Sequence, residues 1–139
     1  MVDLDRILAK FEMLDRFLEI IKNLSQTDAE KFIADPVLIG SMRYYIQVSI
    51  ECCLDVAAHV VSSERYRPPR DYADTFTILE EKGIVPGELA QKLRQMAKFR
   101  NRLVHLYGEI DDQAVHRIAR SDIQDMNQFK AAILDRFAD

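Results

Sequence analysis

The sequence predicts an all-α protein, an up-and-down four-helix bundle with short accessory helices, built as one domain over residues 1–139. Three observations carry that expectation. Apolar residues recur at steps of three and four through most of the chain, as one face of a helix requires. Capping and breaking residues fall between those stretches. No segment reads as a strand, and 139 residues suffice for a single core.

Each element has its own signal. Leu4, Ile7, Phe11, Leu14, Leu18 and Ile21 form an unbroken bundle-facing stripe. Thr27-Asp28-Ala29-Glu30 resembles a capping box that opens a short helix, which Asp35-Pro36 should end. Asp35 can then cap a second long helix with Pro36 at its first position, running to about Ser63. That helix is apolar on several sides, so it is expected at the centre. Arg65 to Arg70, with two prolines, reads as a loop, and a short helix from Tyr72 to Lys82 ends at Gly83. Pro86 opens a helix with Leu89, Leu93, Met96, Leu103 and Val104 on its apolar side, and Gly108 is expected to close it. Asp111 to Arg120 should form another short helix. Ser121 or Asp122 should cap a last one through Met126, Phe129, Ile133 and Phe137.

Composition narrows the setting. Charged residues make up 30% and apolar ones 48%, which fits a folded soluble domain rather than a disordered chain. The N-terminus carries acids where a secretory signal needs a basic start, and the expectation is no membrane span. Cys52 and Cys53 are adjacent on a helix, diverge by about 100° and read as small core residues rather than a disulfide. A cytoplasmic location is the natural expectation. The net charge is −4, but Lys92, Arg94, Lys98, Arg100 and Arg102 lie in a stretch without acids between Glu88 and Glu109. Without those five, 14 basic residues face 23 acidic ones, so one helix is a cationic island on an acidic body. It is an address for phosphate or for an acidic partner.

That helix ends in Arg100-Asn101-Arg102-Leu103-Val104-His105-Leu106-Tyr107. Arginine is always charged and suits phosphate; histidine trades protons near neutral pH. On a helical wheel Arg100 lies about 20° from the middle of the apolar stripe, so its charge needs a carboxylate partner or a cleft. Asn101 and His105 share a polar face with Arg94 and Lys98. Arg100 and His105 lie about 140° apart on an ideal helix and converge only if the helix unwinds before Gly108 or a substrate spans the edge. The bland alternative is that cations at a helix C-terminus simply oppose the helix dipole.

Arg100-Asn101-x3-His105 resembles the Arg-x4–6-His motif of the HEPN superfamily, and with Tyr107 the Arg-x4-His-x-Tyr form of HepT-like toxins. Further blocks are similar: Glu51-x3-Asp55-x3-His59-Val60-Val61-Ser62, Arg67-Pro68-Pro69, Phe76-x-Ile78-Leu79 and Gly83-Ile84-Val85-Pro86, so the resemblance spans roughly Tyr45 to Asp112. It implies a metal-independent endoribonuclease acting on RNA as a homodimer, the motifs of both copies lining one cleft and no cofactor being required. Arg100, Asn101 and His105 become the catalytic set, with Arg94, Lys98, Arg102 and Arg67 as RNA-binding cations. It also implies a type VII-like toxin–antitoxin pair, in which a minimal nucleotidyltransferase (MNT) antitoxin silences the toxin by transferring AMP to Tyr107.

Other groups divide between chemistry and packing. Glu51, Asp55 and His59 line one helix face; a metal site would need ligands from elsewhere, and pairing of Glu51 or Asp55 with Arg100 is the favoured reading. The loop Arg65–Arg70, with Tyr66 and Tyr72 near it, suits single-stranded RNA or is a solvated loop. His116 reads as a surface residue. Two rivals stand beside the nuclease: a non-catalytic HEPN module that binds RNA, nucleotide or a partner, and a dimeric scaffold meeting an acidic protein.

Overall fold

The computed structural model describes residues 1–138 and is helical throughout: α1 (Leu4–Ser25), α2 (Ala29–Ile33), α3 (Pro36–Ser63), α4 (Tyr72–Glu81), α5 (Gly87–His105) and α6 (Asp112–Phe137). The long helices α1, α3, α5 and α6 make the bundle. α3 packs on every other one of the six, while α2 lies on α3 and α6 and α4 fills the side of α3 and α5. Phe129 of α6 stands edge-on between Phe11 of α1 and Phe76 of α4, with centroids 6.3 and 5.7 Å away. Large rings thus knit the middle of the core.

Local chemistry sets most boundaries. The Asp3 carboxylate accepts from the Arg6 N–H and starts α1. Asp35 accepts from Val37 and Leu38 N–H at the head of α3, with Pro36 as its first residue. Gly83 takes φ of +70° just past α4, the left-handed conformation that glycine adopts without strain. The capping box expected at Thr27 does not form. α2 has no side-chain cap bond, and packing of the fully buried Phe32 holds it.

α3 is long and apolar enough in length and composition to cross a bilayer, contrary to the expectation from the sequence. More than half of that window, 56%, is buried inside the bundle, so its apolar surface serves the core. Cys52 and Cys53 are both buried and unpaired there, and burial pushes both thiols up. Such cysteines are inert filling.

The C-terminal region corrects the expectation of two helices. α6 is continuous from Asp112 to Phe137. Its buried residues, Val115, His116, Ala119, Asp122, Asp125, Met126, Phe129 and Ile133, keep the helical period straight through Ser121 and Asp122. Asp122 therefore faces inward, and the cap signal is overridden by packing. The same stripe corrects His116. It is 8% exposed, hydrogen-bonds the Thr27 carbonyl through Nε2 at 2.7 Å and lies 5.0 Å from the Phe32 ring, so it fastens α2 to α6.

Candidate functional site

The cationic helix α5 stops at His105, three residues before Gly108, where it was expected to close. Leu106 leaves helical geometry, and Tyr107–Glu109 form one 3-10 turn before α6 begins. His105 is thereby left exposed on the last turn and Tyr107 lies beyond it, 69% exposed. The motif thus sits at a helix end, where side chains are not confined to the wheel of an uninterrupted helix.

Arg100 points inward, as the wheel requires, and meets its carboxylate. Its Nε and Nη2 donate to Oε2 of Glu51 at 2.9 and 2.8 Å, and its Nη1 donates to Asn101 Oδ1 at 3.2 Å. Gln47, one turn earlier on α3, donates to the same Glu51 oxygen. The guanidinium carbon lies 5.4 Å from the ring centre of Tyr72, within cation–π range. A guanidinium has five N–H bonds, and three are engaged here. The side chain is 18% exposed, so the charge is oriented by protein yet open on one side.

Glu51, Asp55 and His59 do not act together. Glu51 serves Arg100. Asp55 is exposed and pairs with Lys10 of α1 at 3.0 Å, which removes it from the supporting role expected for it. His59 accepts from the Asp3 N–H at 2.9 Å and so pins the start of α1. Each is taken up by a different neighbour, and among the described residues no three such side chains gather as metal ligands would.

The cations separate likewise. Arg94 donates to Glu80 at 2.8 Å. Arg67 is bound by two carboxylates, Asp74 at 2.7 Å and Glu81 at 2.9 Å, and its hydrogen bonds hold both acids below the usual carboxylate range. These arginines brace the loop and α4. Tyr66 lies beneath Lys82, 5.0 Å from the ammonium, instead of standing free. Lys98 and Arg102 remain exposed and pair with none of the described carboxylates, whereas Lys92, Arg94 and Arg100 each have one.

Arg43 of α3 was missed by the sequence reading. It donates through Nε to Asp112 at 2.8 Å, through Nη1 to the Tyr107 carbonyl at 2.7 Å and through Nη2 to the Ile110 carbonyl at 3.5 Å. One side chain thus fixes the segment between the motif and α6. Nothing in its own neighbourhood of the sequence marks it; the only hint is a lone arginine in the apolar α3, which needs a distant partner.

An all-α bundle that ends its cationic helix in arginine, asparagine and histidine, with tyrosine two residues on, is a HEPN-type domain. The chain belongs to the Ribonuclease HepT-like family, whose model matches residues 14–133. It is 27% identical to the mRNA nuclease HepT of Shewanella oneidensis over 125 residues, covering 90% of this chain and 93% of that protein. Two solved structures are similar. One is a toxin–antitoxin complex with AMP-PNP (26% identity, TM-score 0.88) and the other a tri-AMPylated HEPN toxin of Shewanella oneidensis with its MNT antitoxin (27% identity, TM-score 0.87). Each alignment covers 94% of this chain and 98% of its counterpart.

Proposed function

We propose that the protein is an endoribonuclease toxin that cleaves RNA without a metal ion and is silenced by AMP transfer from a nucleotidyltransferase to Tyr107. One observation carries the reading: Arg100 is oriented by Glu51 with two N–H bonds unengaged, on the same last turns of α5 as the exposed His105. RNA brings its own nucleophile. A base removes the 2′-OH proton, the 2′-oxygen bonds to phosphorus, and the P–O5′ bond breaks as an acid protonates the leaving oxygen. The products are a 2′,3′-cyclic phosphate and a 5′-hydroxyl. His105 moves protons and Arg100 neutralises the phosphoryl oxygens as charge builds. Asn101, bonded to the Arg100 guanidinium, orients it.

A single motif histidine cannot readily act as base and acid in one turnover, so a homodimer with two copies of His105 is the natural working unit. Val37, Tyr44 and Leu106 are exposed apolar groups, and Arg43 ties the motif loop to the half of α3 that carries Val37 and Tyr44, which supports an interface at that end. Lys98 and Arg102, which pair with none of the described carboxylates, are the cations offered to RNA, while Arg94 and Arg67 contribute through the frame they brace. Silencing follows from the exposure of Tyr107. Its phenol oxygen attacks the α-phosphorus of ATP, pyrophosphate leaves, and the attached AMP brings bulk and negative charge to the motif.

The test is cleavage of RNA by purified protein in the presence of chelator. Activity that survives chelation, yields cyclic-phosphate ends and disappears in His105→Ala supports the mechanism. Unchanged cleavage in His105→Ala rejects it. Tyr107→Phe should remain toxic and escape modification; AMP found on another residue of that variant rejects the silencing step.

A further inference from the structure

The ring of Tyr72, at the first residue of α4, lies against Arg100 and has no part in the reaction described above. The residue is 52% exposed. With the guanidinium on one face, that exposure falls to the opposite face and the phenol edge. The backbone beneath the ring is fixed. Asp71 caps α4 by accepting from the Asp74 N–H at 2.8 Å, and Asp74 in turn accepts from the Arg70 N–H at 2.9 Å. A ring on a rigid first turn, steadied by a cation on one face, offers the other face to a nucleic-acid base.

A track leads from this ring along α3. Ala58 and Ser62 follow Glu51 on one face of that helix, each within about 20° of it at about 100° per residue. Both are exposed, and with Tyr66, Pro68 and Pro69 they line an open hollow of about 420 Å³. That volume is within the ordinary range for small-molecule sites. At about 1.5 Å per residue, Ala58 stands about 10 Å along α3 from Glu51. Arg70 lies between Pro69 and Tyr72 in the chain. Its exposed side chain reaches Asp74 at 3.6 Å, a carboxylate that Arg67 already holds at 2.7 Å. Asp55, about 40° round α3 from Glu51, is an acid on this side, and Lys10 neutralises it. Lys98 and Arg102 lie about 160° from Arg100 round α5, so they serve a different stretch of strand.

We propose that Tyr72 and the hollow beyond it hold the RNA next to the scissile phosphate. Tyr72 stacks the adjoining base, Arg70 meets the next phosphate, and the base after that lies against Ala58, Pro68 and Pro69. The inference rests on the ribonuclease reading and adds substrate-binding residues to it. Every base has a π-face, so stacking on Tyr72 brings no sequence preference. It does need a base that is unpaired and turned outward. Its effect is on position. A base stacked on the ring that already faces Arg100 keeps the neighbouring phosphate in register with that guanidinium.

The experiment compares a short uridine strand with a ribose–phosphate strand of equal length that carries no bases. Dissociation constants are measured by fluorescence anisotropy in a His105→Ala background, which prevents cleavage. The uridine strand should bind about tenfold more tightly than the base-free one. Tyr72→Ala should weaken the uridine strand about tenfold and leave the base-free strand unchanged, whereas Tyr72→Phe should bind both as the parent does. Ala58→Leu fills the hollow from an exposed helix position, so it should weaken the uridine strand several-fold and spare the other. Arg70→Ala should weaken both strands alike and lower the salt dependence by about one phosphate contact. If Tyr72 merely covers Arg100, its removal loosens the guanidinium and weakens both strands equally. That result, or equal binding of the two strands by the parent, overturns the proposal. Hydrogen-exchange protection of residues 66–75 by a partner protein, with none by RNA, overturns it as well. Cleavage by the protein with His105 intact is read separately. Failure of the binding pattern with cleavage present removes only the track, whereas absence of cleavage removes the ribonuclease reading.

Discussion

Arg67 and Arg100 both rest on carboxylates, yet they do different work. Arg67 donates four hydrogen bonds, two to Asp74 and two to Glu81, leaving one N–H over. Arg100 donates three, two of them to a single oxygen of Glu51, and the ring of Tyr72 attends it. The first is a closed clasp that fastens the loop after α3 to α4. The second is held on one side only. A guanidinium with two donors free, at the frayed end of a helix, can accept a phosphate without breaking the bonds that orient it.

The sharpest way to break this comparison is to delete each arginine in turn. Arg100→Ala should lower single-turnover cleavage by roughly a hundred- to a thousandfold, the usual loss when one donor to a developing oxyanion is removed. Its thermal midpoint should move little, because Glu51 is partly exposed and water can replace the guanidinium. Arg67→Ala should do the reverse, dropping the midpoint by several degrees while cleavage per folded molecule stays nearly constant. A matching loss of cleavage from both variants at equal fold content would erase the distinction between clasp and site.

Smaller perturbations sharpen it. Glu51→Gln keeps the shape beneath Arg100 and removes the charge, so about a tenfold fall is expected, in kcat more than in KM. A fall confined to KM would assign Glu51 to substrate binding instead. Arg43→Ala should cost several-fold in AMP transfer to Tyr107, measured by mass spectrometry with the cognate transferase, because the Tyr107 and Ile110 carbonyls lose their common donor. Unaltered modification kinetics would show that the 3-10 turn presents the phenol unaided.

The contrast also shows what a sequence can carry. Periodicity and caps placed α1, α3, α4 and α5, because those signals are local. Pairing of Glu51 or Asp55 with Arg100 was legible as a need, since an inward arginine demands a carboxylate; which acid meets it depends on the tilt of α3 against α5. Three features were not legible. Ser121 and Asp122 carry a strong cap signal, yet the buried stripe of α6 runs through them. His116 follows an acidic pair and looks solvated, but α2 folds over it. Arg43 acts on a segment 64 to 69 residues away, so no local pattern announces it. Each of these depends on a contact between elements distant in sequence.

The smallest effects fall on stability against pH, where two aspartates oppose each other. Asp74 is held low by the Arg67 guanidinium, so its contribution is present above the ordinary carboxylate range and lost as pH falls below about 4. Asp122 is pushed up to about 7 by burial, with Asp125 adding to the push. Its proton is kept by the folded chain and released by the unfolded one between about pH 4 and 7, so stability falls as pH rises through that window and the deficit is complete above it. Three pH units correspond to an upper limit of about 4 kcal/mol, which water reaching the carboxyl reduces. The wild-type midpoint should therefore peak near pH 5 and decline towards pH 8. Asp122→Asn should flatten that decline, raising the midpoint at pH 8 and leaving pH 5 almost untouched. Asp74→Asn should lower it at both values. Thermal melts that run parallel for wild type and Asp122→Asn from pH 5 to 8 would mean that water already hydrates Asp122 in the folded protein.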